Sequence, residues 1–379
     1  MIFKTARVAN LPENNETLDW LRLTRSENVG PKTFFDLIGF YGSVGSVLEA
    51  MPELAKRGGK KAIKILSRAD AEKEMAEVGK IGATIITLND KSYPKLLKEI
   101  GDPPPVITVR GNLELLNRDA VAVVGARNAS LNGCHFASKL AGDLGREGYI
   151  VISGLARGID TSAHRAAVET GTVAVIAGGI DNVYPKENEK LYDEIAEKGA
   201  IISELAFGAA PQPKNFPQRN RIISGMTLGT VIVEAAMKSG SLITARLALE
   251  QGREVFAVPG HPADPRCHGP NKLIKEGAGL VESAADIIQA LKSQRPGLFA
   301  EKPEPSFILL STLLPSVAAV EDARGKVVEI LSHAPTAVDD IIRATALPVG
   351  IVMTVILELE LAGKIQRSTG NKVALVGGG

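Results

Sequence analysis

Two arginines lie in glycine-containing turns that directly follow apolar, strand-like segments. The first segment ends in Gly125-Ala126-Arg127, and the second ends in Ser153-Gly154-Leu155-Ala156-Arg157-Gly158. A buried strand that leads through glycine into a helix places backbone N–H groups beside a phosphate. The planar guanidinium of arginine binds phosphate through two parallel hydrogen bonds. This pattern predicts a site for nucleotide phosphates, which belong either to a small cofactor or to a polymer.

The first turn lacks the fingerprint of a dinucleotide cofactor. The glycine after Gly125 is Gly133, and no G-x-G-x-x-G motif occurs. We therefore predict no NAD site and no other cofactor. Arg127 is expected to contact phosphate, and the alternative is an internal ion pair with Asp160 or Glu234.

A second cationic stretch covers residues 211–221, which hold three cations, three prolines, one aromatic residue and no acid. Lys214 can reach an anion while Phe216 offers a stacking face, a combination typical of single-stranded nucleic acid binding. The alternative is a buried Phe216 with solvated cations. Arg219 and Arg221 would lie about 200° apart on a helix, so both cannot face one ligand. Lys186 adds a further cation just beyond a predicted strand.

Catalytic and metal sites are not expected. Ser153, Asp160 and His164 could form a hydrolytic triad, but no G-x-S-x-G elbow surrounds the serine, and the aspartate is placed to cap a helix. The loop with His261, Cys267 and its neighbours has no second ligand pair of zinc-site spacing.

Alternating strands and helices must position these residues. Between residues 121 and 281, six apolar strands are each followed by a turn and a helix, as in a doubly wound parallel sheet. We predict an α/β fold with a Rossmann-like core, a small N-terminal helical domain and a C-terminal winged-helix domain. The predicted ranges are a helical (SAM or helix-hairpin-helix-like) domain over 1–80, the core over 81–292, a linker over 293–320 and the winged helix over 321–379.

The outer domains carry weaker signals for DNA contact. The turn Asn28-Val29-Gly30-Pro31-Lys32 resembles the hairpin of a helix-hairpin-helix module, but a plain interhelical turn is the favoured interpretation. The third helix of the winged helix, predicted over 348–362, contains Glu358 and Glu360 and no Lys or Arg. Its acidic face is expected to be repelled by phosphates, which favours a protein-contact or auxiliary role over duplex binding.

Composition sets the broad class. The 379 residues include 44 Lys+Arg and 43 Asp+Glu, so any anion site must be local. Two cysteines are too few for a disulfide framework. Neither a signal-peptide core nor a membrane-spanning apolar stretch is found, so we expect a cytoplasmic protein without a membrane span.

Several motifs together resemble the DNA-processing protein A (DprA/Smf) family. They are the two glycine-arginine turns, the run Phe216-Pro217-Gln218-Arg219-Asn220-Arg221, the segment from Glu234-Ala235 to Ser239-Gly240-Ser241, and the loop from Val258-Pro259-Gly260 to Gly269-Pro270-Asn271. The similarity covers about residues 80–290 and keeps the order of the motifs.

The resemblance implies a non-catalytic homodimer that binds single-stranded DNA and loads RecA recombinase onto it during natural transformation. It also implies that Arg127, Lys186 and Lys214 contact DNA and that Phe216 contacts a base. The predicted DNA-binding set is Gly125, Arg127, Gly154, Arg157, Gly158, Lys186, Lys214, Phe216, Arg219, Arg221 and Ser241.

The alternative is a Rossmann-like nucleotide hydrolase of the lysine-decarboxylase-like group. Such enzymes use a P-G-G-x-G-T-x-x-E loop, and the corresponding run here is Ser224-Gly225-Met226-Thr227-Leu228-Gly229-Thr230-Val231-Ile232-Val233-Glu234. The proline that begins that motif is absent from this run, and Glu234 lies one residue further along than the glutamate of the motif.

Overall fold

The computed structural model describes residues 14–298, 315–368 and 370–376. The chain forms two compact units, one combining residues 1–72 with 303–379 and the other covering 73–302. The described residues before 73 and those after 314 therefore belong to the same unit.

The N-terminal part is helical, as predicted. Its helices are α1 (Asn14–Thr24), α2 (Pro31–Tyr41), α3 (Val44–Arg57) and α4 (Arg68–Lys80). Pro31 takes the first position of α2, where its missing N–H costs nothing, and the Ser43 side chain caps α3. Apolar side chains at helical spacing, such as Leu21, Phe34 and Leu54, are buried between these helices.

The second unit is built on one sheet with helices. Its elements are β1 (Ala83–Thr87), α5 (Lys95–Lys98), β2 (Val106–Gly111), β3 (Ala120–Val124), α6 (Leu131–Arg146), β4 (Ile150–Ser153), α7 (Ile159–Ala167), β5 (Thr172–Val175), α8 (Glu189–Lys198), β6 (Ala200–Ser203), α9 (Asn215–Gly225), β7 (Gly229–Ile232), α10 (Gly240–Glu250), β8 (Glu254–Ala257), α11 (His268–Lys275), β9 (Gly279–Leu280) and α12 (Ala284–Leu298). The nine strands are ordered β1-β2-β6-β5-β4-β3-β7-β8-β9.

The predicted Rossmann-like α/β core is confirmed, although the sheet is mixed. Strands β3 to β9 pair in parallel, whereas β1 and β2 are antiparallel to each other and β2 is antiparallel to β6. Between β1 and β2 the only helix is the single turn of α5. The β1–β2 connection therefore has no crossover helix of the kind that joins parallel strands, which accounts for the antiparallel edge.

The order of the strands creates a crevice where the chain reverses direction across the sheet. From β3 the sheet continues through β4 on one side and through β7 on the other. Ligands of open α/β sheets bind outside the carboxyl ends of the strands at such a point. The loops after β3, β4 and β7 all leave the sheet at this edge.

The C-terminal part is a winged helix, also as predicted. It contains α13 (Val317–Ile330), β10 (Thr336–Ala337), α14 (Val338–Thr345), α15 (Val349–Leu361), β11 (Ile365–Ser368) and β12 (Lys372–Leu375). The strands form an antiparallel sheet in the order β10-β12-β11. Helix α12 extends into the predicted linker, and residues 299–314 of that linker lie outside the described residues.

The expected acidic face of α15 is not presented to solvent. Glu358 is fully buried, and its carboxylate accepts a hydrogen bond from Arg324 at 2.6 Å. Glu360 accepts one from Arg367 at 2.9 Å, and a second nitrogen of Arg367 lies 2.8 Å from Asp36 of α2. Burial against the N-terminal helices thus removes the phosphate-repelling face that the sequence indicated.

Candidate nucleic-acid interface

An arginine and two aromatic rings meet at the carboxyl edge of the sheet. The guanidinium carbon of Arg127 lies 4.9 Å from the centroid of the Phe216 ring, and the Tyr184 and Phe216 ring centroids are 5.6 Å apart at 61°. Arg127 and Tyr184 are exposed, and Phe216 is partly buried. A cation over an aromatic face orients the guanidinium without neutralising its charge. We call these three residues the aromatic-cation cluster.

Arg127 does not pair with either acid that the sequence offered as an alternative. Within the described part of the chain, its guanidinium has no carboxylate partner and contacts only Phe216. Its charge is therefore available to an external anion.

Three further predicted cations are exposed on loops at the same edge. Arg157 follows β4, Lys186 follows β5 two residues after Tyr184, and Lys214 precedes Phe216. Among the described residues, none of these three side chains has a hydrogen-bond or ion-pair partner. The Asn188 amide donates to the Leu155 carbonyl at 2.9 Å and so holds the Lys186 loop against the turn that carries Arg157.

The predicted glycines let the turns pack closely. Gly158 has a φ of +78°, and a Cβ there would lie 2.3 Å from the Ala126 carbonyl oxygen, so the β4 turn rests directly on the β3 turn. A Cβ on Gly154 would lie 1.9 Å from a guanidinium nitrogen of Arg219. Gly125 packs in the same way against Ile159 of α7. These glycines position the exposed cations through backbone contacts.

Arg219 is placed beneath the cluster. It is 6% exposed and donates to the Val175 carbonyl at 2.7 Å. Burial lowers the pKa of Arg219 to about 10, with nearby Asp160 opposing this shift and Arg127 adding to it. Asp160 in turn accepts hydrogen bonds from the Gly154 and Ala156 backbone N–H groups at 3.1 and 3.3 Å. Arg219 and Asp160 therefore support the turn that carries Arg157.

Arg221 lies apart from the exposed cations in an internal ion-pair network. It is 7% exposed, binds Glu204 through two nitrogens at 2.6 and 3.0 Å, and binds Asp102 at 3.0 Å. Burial alone would lower the pKa of Arg221, but Glu204 and Asp102 outweigh it and raise the pKa. Its charge is already compensated within the protein.

Ser241 is also internal. It is 8% exposed in the first turn of α10, where its hydroxyl lies 2.7 Å from the Ser239 hydroxyl. This contact belongs to the cap of the helix.

A glutamate from the protein occupies the usual phosphate position at the crevice. Glu234 follows β7, and its carboxylate accepts hydrogen bonds from the backbone N–H and the hydroxyl of Ser130 at 2.9 and 2.5 Å. Ser130 is the N-cap of α6. A negative charge is thus already bound at the helix end that receives a phosphate in cofactor-binding relatives of this fold.

The candidate triad residues are buried. Ser153 donates to the Val123 carbonyl at 2.7 Å, and Nδ1 of His164 is bonded to Thr172 at 2.8 Å. Burial lowers the pKa of His164 to about 3, so the ring is neutral at physiological pH. No group of three His, Cys, Asp or Glu side chains within residues 14–298, 315–368 and 370–376 is arranged to hold a metal ion.

Tyr184 is the site residue that sequence reasoning missed. The chain has 16 aromatic residues, and two of them, Tyr184 and Phe216, are in contact at the site where Arg127 lies over Phe216. The available signal was its position two residues before Lys186 in a strand-end loop.

No helix within the described ranges is long and apolar enough to span a membrane.

The fold and the edge cluster define a Rossmann-like α/β protein with exposed cations at the carboxyl edge of its sheet, in a chain that also carries helical and winged-helix domains. Residues 84–292 match the family model described as DNA recombination-mediator protein A, residues 14–76 match the DprA-like N-terminal HHH domain, and residues 312–371 match the DprA winged helix domain. The chain belongs to the DNA recombination-mediator protein A family.

Individual relatives agree with this assignment. The chain is 45% identical to DNA processing protein DprA of Bacillus subtilis over 213 residues, covering 55% of this chain and 72% of that protein. It is 38% identical to protein Smf of Escherichia coli over 294 residues, or 77% of each chain. The solved structure of DprA from Streptococcus pneumoniae has a TM-score of 0.61 and 35% identity, and it covers 74% of this chain and 98% of that one.

A second solved structure concerns DNA processing protein A from Helicobacter pylori and its single-stranded DNA binding mode. It has a TM-score of 0.51 and 29% identity, and it covers 55% of this chain and 96% of that one.

Proposed function

We propose that this chain binds single-stranded DNA across the aromatic-cation cluster and acts as a recombination mediator in DNA uptake. The observation that carries the proposal is the exposed Arg127, held over Phe216 and lacking an acidic partner among the described residues. An unpaired guanidinium, two aromatic rings and nearby lysines provide both phosphate contact and base stacking. Membership of the family and the single-stranded DNA binding of the Helicobacter pylori relative support the same conclusion.

The predicted residues divide into two roles in this proposal. Arg127, Arg157, Lys186, Lys214 and Phe216 contact DNA directly because their side chains reach solvent, and Tyr184 joins them. Gly125, Gly154, Gly158, Arg219, Arg221 and Ser241 act as positioning residues because they are engaged within the core.

Single-strand affinity tests the site. Arg127→Ala and Lys214→Ala should each weaken binding of a labelled oligonucleotide by roughly tenfold, because each removes a phosphate contact. Arg146→Ala is a matched control, because Arg146 is an exposed arginine at the far end of α6 paired with Asp143. With about three phosphate contacts per chain, log K should fall against log salt with a slope near −2. Equal affinity in all three variants would refute the assignment of the site.

We also propose that the chain assembles as a homodimer and loads RecA recombinase onto the bound strand, as the resemblance implies, and that it does so in the cytoplasm. Sedimentation of the purified protein should give twice the chain mass. RecA filaments should form on strands already coated with single-strand-binding protein only when the chain is added. A monomer, or no gain in filament formation, would contradict the respective statement.

We further propose that the core site performs no chemistry. The only candidate for the catalytic acid of a nucleotide hydrolase in the motif is Glu234, and both of its carboxylate oxygens accept hydrogen bonds from Ser130, the N-cap of α6. The carboxylate is therefore engaged in a structural contact within the protein. Incubation with nucleoside monophosphates should release no free base, and release of base would favour the hydrolase.

A further inference from the structure

Asn188 joins two of the loops that carry exposed cations. It is the last residue of the short 3₁₀ turn Lys186–Asn188 that follows β5. It is 3% exposed, and its amide nitrogen donates to the Leu155 carbonyl at 2.9 Å and to the Thr161 hydroxyl at 2.8 Å. Leu155 precedes Arg157 in the turn after β4, and Thr161 follows it in the first turn of α7. One buried side chain therefore connects the loop of Lys186 to the turn of Arg157.

The direction of these hydrogen bonds explains why the residue is an asparagine. The Leu155 carbonyl can only accept. The Thr161 hydroxyl donates its hydrogen to the Ala156 carbonyl at 2.7 Å, so it accepts from Asn188. Both partners therefore need a donor, and an amide nitrogen carries two hydrogens. An ionised aspartate in this place could only accept, and an apolar side chain could do neither.

The β4 turn has an unfavourable backbone conformation that the tie to Asn188 supports. Leu155 is fully buried and has a φ of +56°, in the left-handed region that non-glycine residues avoid. Its carbonyl accepts from Asn188, and the N–H groups of its neighbours Gly154 and Ala156 donate to Asp160. Strain of this kind persists where surrounding contacts hold it, and it is concentrated at binding sites. The turn is thus held in one shape from two sides.

The connected loops leave neighbouring strands of the sheet. Strands β5, β4 and β3 are adjacent, so the loops of Lys186, Arg157 and Arg127 follow one another along the carboxyl edge. Gly158 packs the β4 turn against the β3 turn. Asn188 makes the corresponding contact on the other side, between the β4 turn and the β5 loop. The three cations therefore belong to one connected set of loops.

We propose that Asn188 is a positioning residue for DNA binding, which holds Arg157 and Lys186 in a fixed arrangement so that both contact the same strand at once. A cation on an independent loop loses side-chain and loop freedom when it binds a phosphate. A loop that is already fixed loses less, so the second phosphate contact forms more readily after the first. This inference rests on the proposed single-strand binding at the core, and it concerns a residue too buried to reach the strand itself.

Asn188→Leu and Tyr192→Phe test this role as a matched pair. Asn188→Leu removes both side-chain hydrogen bonds and keeps a side chain of similar size. Tyr192→Phe also removes a hydrogen bond to the loop after β5, the one from its hydroxyl to the Ile180 carbonyl, but leaves the tie to the β4 turn intact. Arg157→Ala and Lys186→Ala are made singly in the native chain and in each variant. The affinity for a labelled single-stranded oligonucleotide is measured over a range of salt concentrations.

The expected result is a loss that only the asparagine variant shows. Asn188→Leu should weaken binding by roughly fivefold although every cation remains, and the slope of log K against log salt should become shallower by about 0.7, as for one lost phosphate contact. Tyr192→Phe should keep the native slope and lose less than about twofold in affinity. Lys186→Ala should weaken binding by roughly tenfold in the native chain but only by about twofold when added to Asn188→Leu.

The contradicting results separate this inference from the proposed function. If Arg157→Ala and Lys186→Ala leave the affinity unchanged, these cations do not bind DNA, and the inference is wrong together with that part of the site. If both weaken binding but Asn188→Leu behaves like Tyr192→Phe, the site stands and the inference alone is wrong. A loss of affinity in Asn188→Leu with the native salt slope would likewise show that Asn188 is only structural.

A second pair of variants applies if Asn188→Leu fails to fold. Thr161→Val removes the hydroxyl that accepts from Asn188 and donates to Ala156, whereas Thr161→Ser keeps it. Thr161→Val should weaken binding by about two- to threefold with a shallower salt slope, and Thr161→Ser should bind like the native chain. Equal affinity and equal slope in these two variants would overturn the proposal.

Discussion

The charges at the edge of the core and those on the third helix of the winged helix are used in opposite ways. Arg127, Arg157, Lys186 and Lys214 are exposed and have no acidic partner in the described part of the chain. Glu358 and Glu360 are buried, and each has an arginine within 3 Å. A charge acts on an external polyanion only when the protein has not already compensated it, so the count of charges in a segment says little about its partner.

The same contrast divides the arginines of the core. Arg127 rests on an aromatic ring, whereas Arg221, from the same cationic stretch as Lys214, is held by Glu204 and Asp102. One arginine is available for binding, and the other stabilises the framework.

The largest expected effect comes from breaking the buried network. Arg221→Ala should lower the free energy of unfolding by about 3–5 kcal/mol, since it leaves two partly buried carboxylates without their cation. Arg127→Ala should change it by less than about 0.5 kcal/mol, as expected of an exposed side chain. Urea denaturation followed by circular dichroism measures both. If the two variants were equally stable, the distinction between framework and binding arginines would be lost.

A smaller effect tests how tightly α15 is docked. Gly58, at the end of α3, lies so close to α15 that a Cβ would be 2.0 Å from the Glu358 carbonyl oxygen. Gly58→Ala should cost about 1–3 kcal/mol through this overlap with backbone. The control is Gly45→Ala in the same helix, where a Cβ would meet nothing within 4 Å and should stabilise by about 0.5–1 kcal/mol. Similar changes in melting temperature in both variants would mean that α3 and α15 are not closely packed at Gly58.

The two aromatic residues of the aromatic-cation cluster, Phe216 and Tyr184, should contribute to the affinity for single-stranded DNA and not to the stability of the fold. Phe216→Leu keeps an apolar side chain but removes the stacking face, and it should weaken single-strand binding by about 1–2 kcal/mol. Tyr184→Leu should have a similar but smaller effect, since Arg127 lies over the ring of Phe216, whereas Tyr184 meets Phe216 in an edge-type contact. Fluorescence anisotropy with an oligonucleotide measures both. Unchanged affinity in Phe216→Leu would restrict binding to phosphate contacts.

The sequence was sufficient for the architecture and for placing exposed cations at the carboxyl edge of the sheet. Apolar runs with glycine turns indicated the core strands, because buried parallel strands leave a continuous apolar signal. Arg127 and Phe216 could be selected from their positions after a strand and in an acid-free loop. Whether a particular charge is compensated depends on residues distant in sequence, such as Asp102 for Arg221 and Asp36 for Arg367, and no local pattern reveals those pairs.

The smallest expected effect is a pH dependence that arises from Glu360 of α15. Burial raises the pKa of Glu360 above its ordinary value of 4.5, with Arg367 and Thr33 opposing the shift. A carboxyl with a raised folded-state pKa binds its proton more tightly in the folded than in the unfolded protein, so its contribution to stability falls as pH rises from about 4.5 through the raised pKa and is constant above it. Glu360→Gln cannot titrate and should lack this component. Relative to Glu360→Gln, the protein should therefore lose stability on going from acid to neutral pH. A difference that is flat over this range, or that has the opposite slope, would mean that the ion pair with Arg367 outweighs burial.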